Sequence, residues 1–145
     1  MDATAISHWR TPGWRVIAVA FGIGLLMSAI GTAHALIFRP QPPPVSWPLW
    51  VIPIVSLVFV PIEEYVFRGV VLRWTWRVVG FVPALLVSSF AFGVAHGLGP
   101  WLWVRCIQGL ILGVLYYRTR SLWPCIVAHY VCNAALVTVA FLVGF

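Results

Sequence analysis

The sequence predicts an all-α fold: a polytopic transmembrane helix bundle of about five spans with its N-terminus in the cytoplasm. Three observations carry this reading. First, the 145 residues are 62% hydrophobic and 8% charged, with a mean hydropathy of +1.00, and no polar run is long enough for a soluble domain. Second, long apolar runs alternate with short basic or proline-rich breaks. Third, all nine basic residues are arginines, and most stand at the ends of apolar runs, where membrane topology places them. The net charge of +6 therefore reads as topology and does not suggest a nucleic-acid partner.

Residues 1–13 form a short polar lead carrying Arg10. Residues 14–38 are a first span, about long enough to cross a bilayer. Arg10 and Arg15 in front and Ala33-His34-Ala35 behind also fit a signal peptide. The apolar run continues through Leu36, Ile37 and Phe38, however, so an uncleaved helix is expected. Residues 39–48 hold Pro40, Pro42, Pro43, Pro44 and Pro48 and form a linker, since such a run is not helical. Residues 49–76 are a second span, in which Pro53 and Pro61 are expected to introduce kinks. The third span is 81–96, followed by the break Gly97-Leu98-Gly99-Pro100. The fourth is 101–117, followed by a basic turn at Arg118-Thr119-Arg120. The fifth is 121–145, with Ser121 as its N-cap and Pro124 in the first turn.

With the N-terminus inside, Arg10, Arg15, Arg73, Arg77, Arg118 and Arg120 are cytoplasmic, and only Arg39 among the loop arginines lies outside. The tryptophans, including Trp9, Trp47, Trp50, Trp74, Trp76, Trp101 and Trp123, cluster near span ends. Gly93 with Gly97 and Gly109 with Gly113 are G-x-x-x-G pairs, expected to let helices approach closely. Cys106, Cys125 and Cys132 all lie in apolar segments. They read as small hydrophobes rather than a disulfide framework.

The chemistry concentrates in Glu63-Glu64-Tyr65-Val66-Phe67-Arg68, which holds two of the chain's three acids. At about 2.5–3.5 kcal/mol for each ionisable residue at a helix centre, an unpaired Glu63, Glu64 and Arg68 together cost roughly 7–10 kcal/mol. Glu64 and Arg68 are four apart with the acid first, the favourable orientation for a helical ion pair. Glu63 lies about 100° around the helix with no local partner. The third span carries Phe92 and His96, and the fifth His129 and Asn133, each pair on one helix face. At 1.5 Å per residue, Glu63 lies about 15 Å from Arg73, His96 about 20 Å beyond Pro83 and His129 about 12 Å beyond Ser121. All three therefore fall in one band of a core about 30 Å thick and can meet in one cavity.

A carboxylate and an imidazole facing one water form a general-base pair for hydrolysis. A second histidine with an asparagine supplies donors for an oxyanion. Cys132 is the best thiol alternative, but nothing in the sequence suggests an activated thiolate. No cofactor is expected. The alternative is zinc, with Glu63, His96 and His129 as a His₂Glu set leaving a position open. Non-enzymatic alternatives are a proton relay and a binding or immunity protein of the membrane.

Glu63-Glu64-x-x-x-Arg68, then Phe92-x-x-x-His96, then His129-x-x-x-Asn133 resembles the CAAX protease and bacteriocin-processing (CPBP, Abi) family of intramembrane proteases, which is similar to CAAX prenyl protease II. Gly109-x-x-x-Gly113 and the stretch Thr119-Arg120-Ser121-Leu122-Trp123-Pro124 also look like that family. The likeness covers about residues 49–140. Residues 1–48 read, from their own composition, as an N-terminal transmembrane helix and proline-rich linker, and the resemblance implies a catalytic four-helix core at 49–145. It also implies a glutamate-dependent endopeptidase of the cell membrane acting on a peptide or protein substrate at the bilayer, such as a CAAX-type C-terminus or a bacteriocin or leader peptide. Glu63 and His96 would activate water, His129 and Asn133 would hold the oxyanion, and Glu64, Arg68 and Phe92 would support them. Members of that family usually carry more helices than this chain.

Overall fold

The computed structural model describes residues 11–38 and 51–143. The proline-rich linker, Arg10, Arg39, Trp9, Trp47, Trp50 and the outermost ends of the second and fifth spans lie outside the described residues. Helix α1 is Trp14–Phe38. A second rod joins α2, Val51–Glu64, through a π-helical stretch, Tyr65–Leu72, to α3, Arg73–Val79. Helix α4 is Phe81–Ala95, α5 is Leu102–Thr119 and α6 is Trp123–Val143. Among the described residues there is no strand, and the chain is an all-helical bundle of five rods. Helices α1 and α6 are long and apolar enough to cross a membrane, with mean hydropathies of 2.2 and 2.0. Phe21, Leu25, Phe59, Leu86 and Phe90 are exposed on the bundle's outside, an apolar surface that suits lipid rather than water.

The rods run up and down. His34 near the end of α1 stacks on Trp101 at the start of α5, with ring centroids 4.9 Å apart. At the opposite end, Arg15 and Arg118 line one groove. There, too, the Arg120 guanidinium covers Trp76 and Tyr117, 4.7 Å from each ring. The described loop arginines assigned to one side by sequence thus gather at one end of the bundle.

Several boundaries differ from the sequence reading. The second span continues to Val79, because Gly80 with φ +84° is what stops it. Arg118 and Thr119 still belong to α5, and the turn is made by Arg120 at φ +54°. The last helix begins at Trp123, so Ser121 caps from one position further out, its Oγ accepting from the Trp123 N–H at 3.3 Å. Pro53 sits in the first turn of α2, where a missing N–H is harmless. Pro61 lies inside the helix, just before the π-helical stretch. Gly97 is not a packing residue. It has φ +109° and makes the turn after α4, and a Cβ there would meet nothing within 4 Å.

Helix α1 lies along α6, and α4 lies along α5. The α4–α5 contact depends on Gly109, where a Cβ would fall 2.9 Å from the Ser89 Cα. Gly93 and Gly113 complete the same seam, against Cys106 and Leu85. The three cysteines are free, as read.

Candidate active site

The site begins with the adjacent acids at the end of α2. Their 100° separation sends them to different environments. Glu64 is fully buried and Glu63 partly exposed. The Arg68 guanidinium donates to Glu64 Oε1 at 3.1 Å, the expected i,i+4 ion pair, and to the Gly109 carbonyl at 3.2 Å. Glu64 Oε1 also accepts from His129 Nδ1 at 2.8 Å. This contact joins residues 65 apart in the chain. Arg68 lies over the Phe92 ring at 4.5 Å, and Phe92 meets His129 edge to face at 5.5 Å. Phe92 is thus the apolar floor shared by the ion pair and the histidines.

The π-helical stretch starts immediately after Glu64. Its wider turn displaces backbone groups from the usual ladder, and Ser88 of α4 donates its hydroxyl to the Phe67 carbonyl at 2.7 Å. No sequence signal announced this element.

His96 caps the end of α4, and its Nδ1 lies 2.8 Å from the Phe92 carbonyl. A carbonyl only accepts, so Nδ1 carries hydrogen, and in the neutral ring Nε2 presents a lone pair. That Nε2 is 3.9 Å from Glu63 Oε2, and His129 Nε2 is 3.7 Å from the same oxygen. Both distances are too long for direct hydrogen bonds, and a polar atom of substrate or solvent seated to one side can bridge each pair. The His129 Nε2 is buried without a hydrogen-bond partner among the described residues. Asn133, Glu63 and His96 line one cavity of about 490 Å³. All four expected residues therefore converge, with Glu64, Arg68 and Phe92 beneath them. The ligand atoms of Glu63, His96 and His129 also lie within 4.8 Å of one another, close enough to hold one metal ion.

Residues 45–135, well over half of the chain, match the family model described as "Type II CAAX prenyl endopeptidase Rce1-like". The chain belongs to this family. The resemblance carried by the three motifs is therefore confirmed at the level of the family. In this Rce1-like chain, 85 residues (58% of it) are 34% identical to the "Putative membrane peptidase YdiL" of Bacillus subtilis. Over 89 residues (57% of it) the chain is 33% identical to the "Membrane-embedded CAAX protease MroQ" of Staphylococcus aureus. The matches cover 35% and 36% of those relatives, so the chain matches about a third of their length. No solved structure matches it significantly.

Two polar residues of the Rce1-like core were not singled out by the sequence reading. Arg105 lines the cavity beside Glu63 and His96, and it donates to Gln108 Oε1 at 3.0 Å. Gln108 is buried and donates to the Met27 carbonyl of α1 at 3.3 Å and to Cys132 Sγ at 3.4 Å. Their signal was available: an arginine and a glutamine three apart inside an apolar run share a helix face and carry the same insertion cost that drew attention to Glu63. Cys132 is engaged by this glutamine.

Proposed function

We propose that the chain is a glutamate-dependent intramembrane endopeptidase, multi-pass in a bacterial plasma membrane with its N-terminus cytoplasmic. The observation that carries this reading is Glu63 Oε2 facing the Nε2 atoms of His96 and His129 at 3.9 and 3.7 Å. A water held between Glu63 and His96 gives them a proton as its oxygen attacks the scissile carbonyl carbon. The carbonyl π pair moves to oxygen, and His129 with Asn133 stabilises the oxyanion. The amide C–N bond then breaks, and the departing amine takes the proton from the Glu63–His96 pair.

Because the Nδ1–H of His129 is committed to Glu64, Nε2 donates only from the doubly protonated ring. The substrates that suit such a site are the C-terminal peptide of a CAAX-type protein, a bacteriocin leader or another membrane-associated peptide. The test is cleavage of prenylated CAAX-type and leader-type peptides by purified protein in detergent, read by mass spectrometry. Cleavage that disappears in Glu63→Gln and persists in chelator is expected. Full cleavage by Glu63→Gln would overturn the proposal.

The Glu63, His96 and His129 cluster favours one second reading, a zinc protease. The same three side chains would hold the ion and leave one position open, and the ion would supply Lewis-acid activation. The carboxylate behind His129 fits that reading as well, since metal-bound histidines commonly donate to one. Loss of cleavage in chelator, restored by zinc, selects it.

A further inference from the structure

We propose that the groove between α1 and α5 binds one anionic phospholipid, with its phosphodiester held by Arg15 and Arg118 and one acyl chain lying along Val19, Ile23, Ile111 and Val114. The groove has a volume of about 620 Å³ and is walled by aliphatic side chains except at one end. That volume is in the range of ligand sites, about 300–1,000 Å³. Arg15 and Arg118 stand together at the polar end, and both are exposed. Arg15 lies over the Trp14 ring at 5.6 Å, and neither arginine has an ion pair or hydrogen bond among the described residues. The only described acids, Glu63 and Glu64, belong to the catalytic cluster.

The groove's length decides what fits. From Arg15 to Ile23, and from Arg118 back to Leu110, is eight residues on each helix, or about 12 Å. Half of a bilayer core is about 15 Å, so the groove is close to one leaflet deep. Its inner end is closed one turn further on, where Gln108 donates to the Met27 carbonyl. A free inorganic anion would leave the apolar trough unused, and a neutral isoprenoid would leave the paired arginines unused. An amphiphile with one negative headgroup uses both. The arginine bias puts this end at the cytoplasmic leaflet, where anionic lipids concentrate.

The test is native mass spectrometry of the purified full chain in detergent, titrated with phosphatidylglycerol and with phosphatidylcholine of identical acyl chains. Wild type is expected to retain one phosphatidylglycerol in preference to phosphatidylcholine. Arg15→Gln/Arg118→Gln is expected to lower phosphatidylglycerol affinity by roughly 25-fold, about 1 kcal/mol per arginine, and so to abolish the preference. Val114→Trp, which fills the groove from a partly exposed position, is expected to block both lipids while the melting temperature holds. Arg77→Gln, an exposed cation at the same end but outside the groove, is expected to change nothing. An unchanged preference in the double variant overturns the proposal. So does an equal loss in Arg77→Gln, which means diffuse attraction, or retention in a folded Val114→Trp. Displacement of the lipid by an uncharged prenylated peptide, insensitive to the two glutamines, also overturns it and assigns the groove to a substrate tail.

Discussion

Replacing Arg68 by methionine tests whether the buried ion pair beneath the site is structural, catalytic or both. Arg68 is 1% exposed and Glu64 is fully buried. The substitution removes the donors to Glu64 Oε1 and to the Gly109 carbonyl, leaving His129 as the remaining hydrogen-bond partner of a buried carboxylate. Breaking such a pair from one side costs about 3–5 kcal/mol, because a charge is left desolvated and unmatched. For a chain of this size that is a fall in melting temperature of roughly 10–20 °C. The double variant Glu64→Leu/Arg68→Met removes both charges at similar volume, which is about neutral or stabilises by up to roughly 4 kcal/mol. It is expected to melt near or above wild type. It is also expected to be inactive, since His129 loses the acceptor that fixes its tautomer and ring orientation. The assay is thermal unfolding in one detergent, followed by tryptophan fluorescence, beside peptide cleavage. A double variant that melts as low as Arg68→Met refutes the ion-pair argument. A stable double variant that still cleaves refutes the role given to Glu64.

Three further outcomes follow from the packing and the site. Gly109→Ala places a methyl 2.9 Å from the Ser89 Cα and 3.1 Å from its carbonyl oxygen, so backbone has to move; a loss of about 1–3 kcal/mol is expected in the same melting assay. Ser88→Ala leaves the Phe67 carbonyl without its hydroxyl donor and is expected to cost about 1–3 kcal/mol; a variant as stable as wild type would show that Ser88 does not support the π-helical stretch. Asn133→Ala is expected to lower kcat by roughly 100- to 1,000-fold with little change in melting temperature, as the loss of an oxyanion donor does on an only partly buried residue.

The parts of the site that sequence made legible are those governed by helix periodicity and depth. The Glu64–Arg68 pair follows from a spacing of four, and the divergence of Glu63 from Glu64 follows from 100° per residue. Counting rise per residue placed Glu63, His96 and His129 in one band, and they meet there. Contacts between helices were not legible. Nothing local says that His129 faces Glu64 rather than Glu63 alone, or that Gln108 reaches the Met27 carbonyl 81 residues away. The π-helical stretch was hidden because Tyr65–Leu72 has an ordinary helical composition; what distinguishes it is a serine on another rod. Gly97 was given two readings: the break Gly97-Leu98-Gly99-Pro100 holds, while the G-x-x-x-G packing reading fails because that spacing is the same whether the second glycine packs or turns.

The order of the two glutamates carries a constraint of its own. One carboxylate, Glu64, stays in the interior, where it accepts from a guanidinium and an imidazole. The other, Glu63, opens to the cavity, with the Nε2 atoms of His96 and His129 at 3.9 and 3.7 Å from its Oε2. Adjacent positions give both placements, because one helix step turns the second side chain away from the first while keeping the two charges close. His129 lies between the two acids, with Arg68 on the far side of Glu64, so the histidine bridges them. Moving the pair one residue back along α2 would put the second acid at the cavity-facing position 63 and leave Arg68 five residues from it instead of four. The site thus depends on the register of α2 as much as on the identity of its residues.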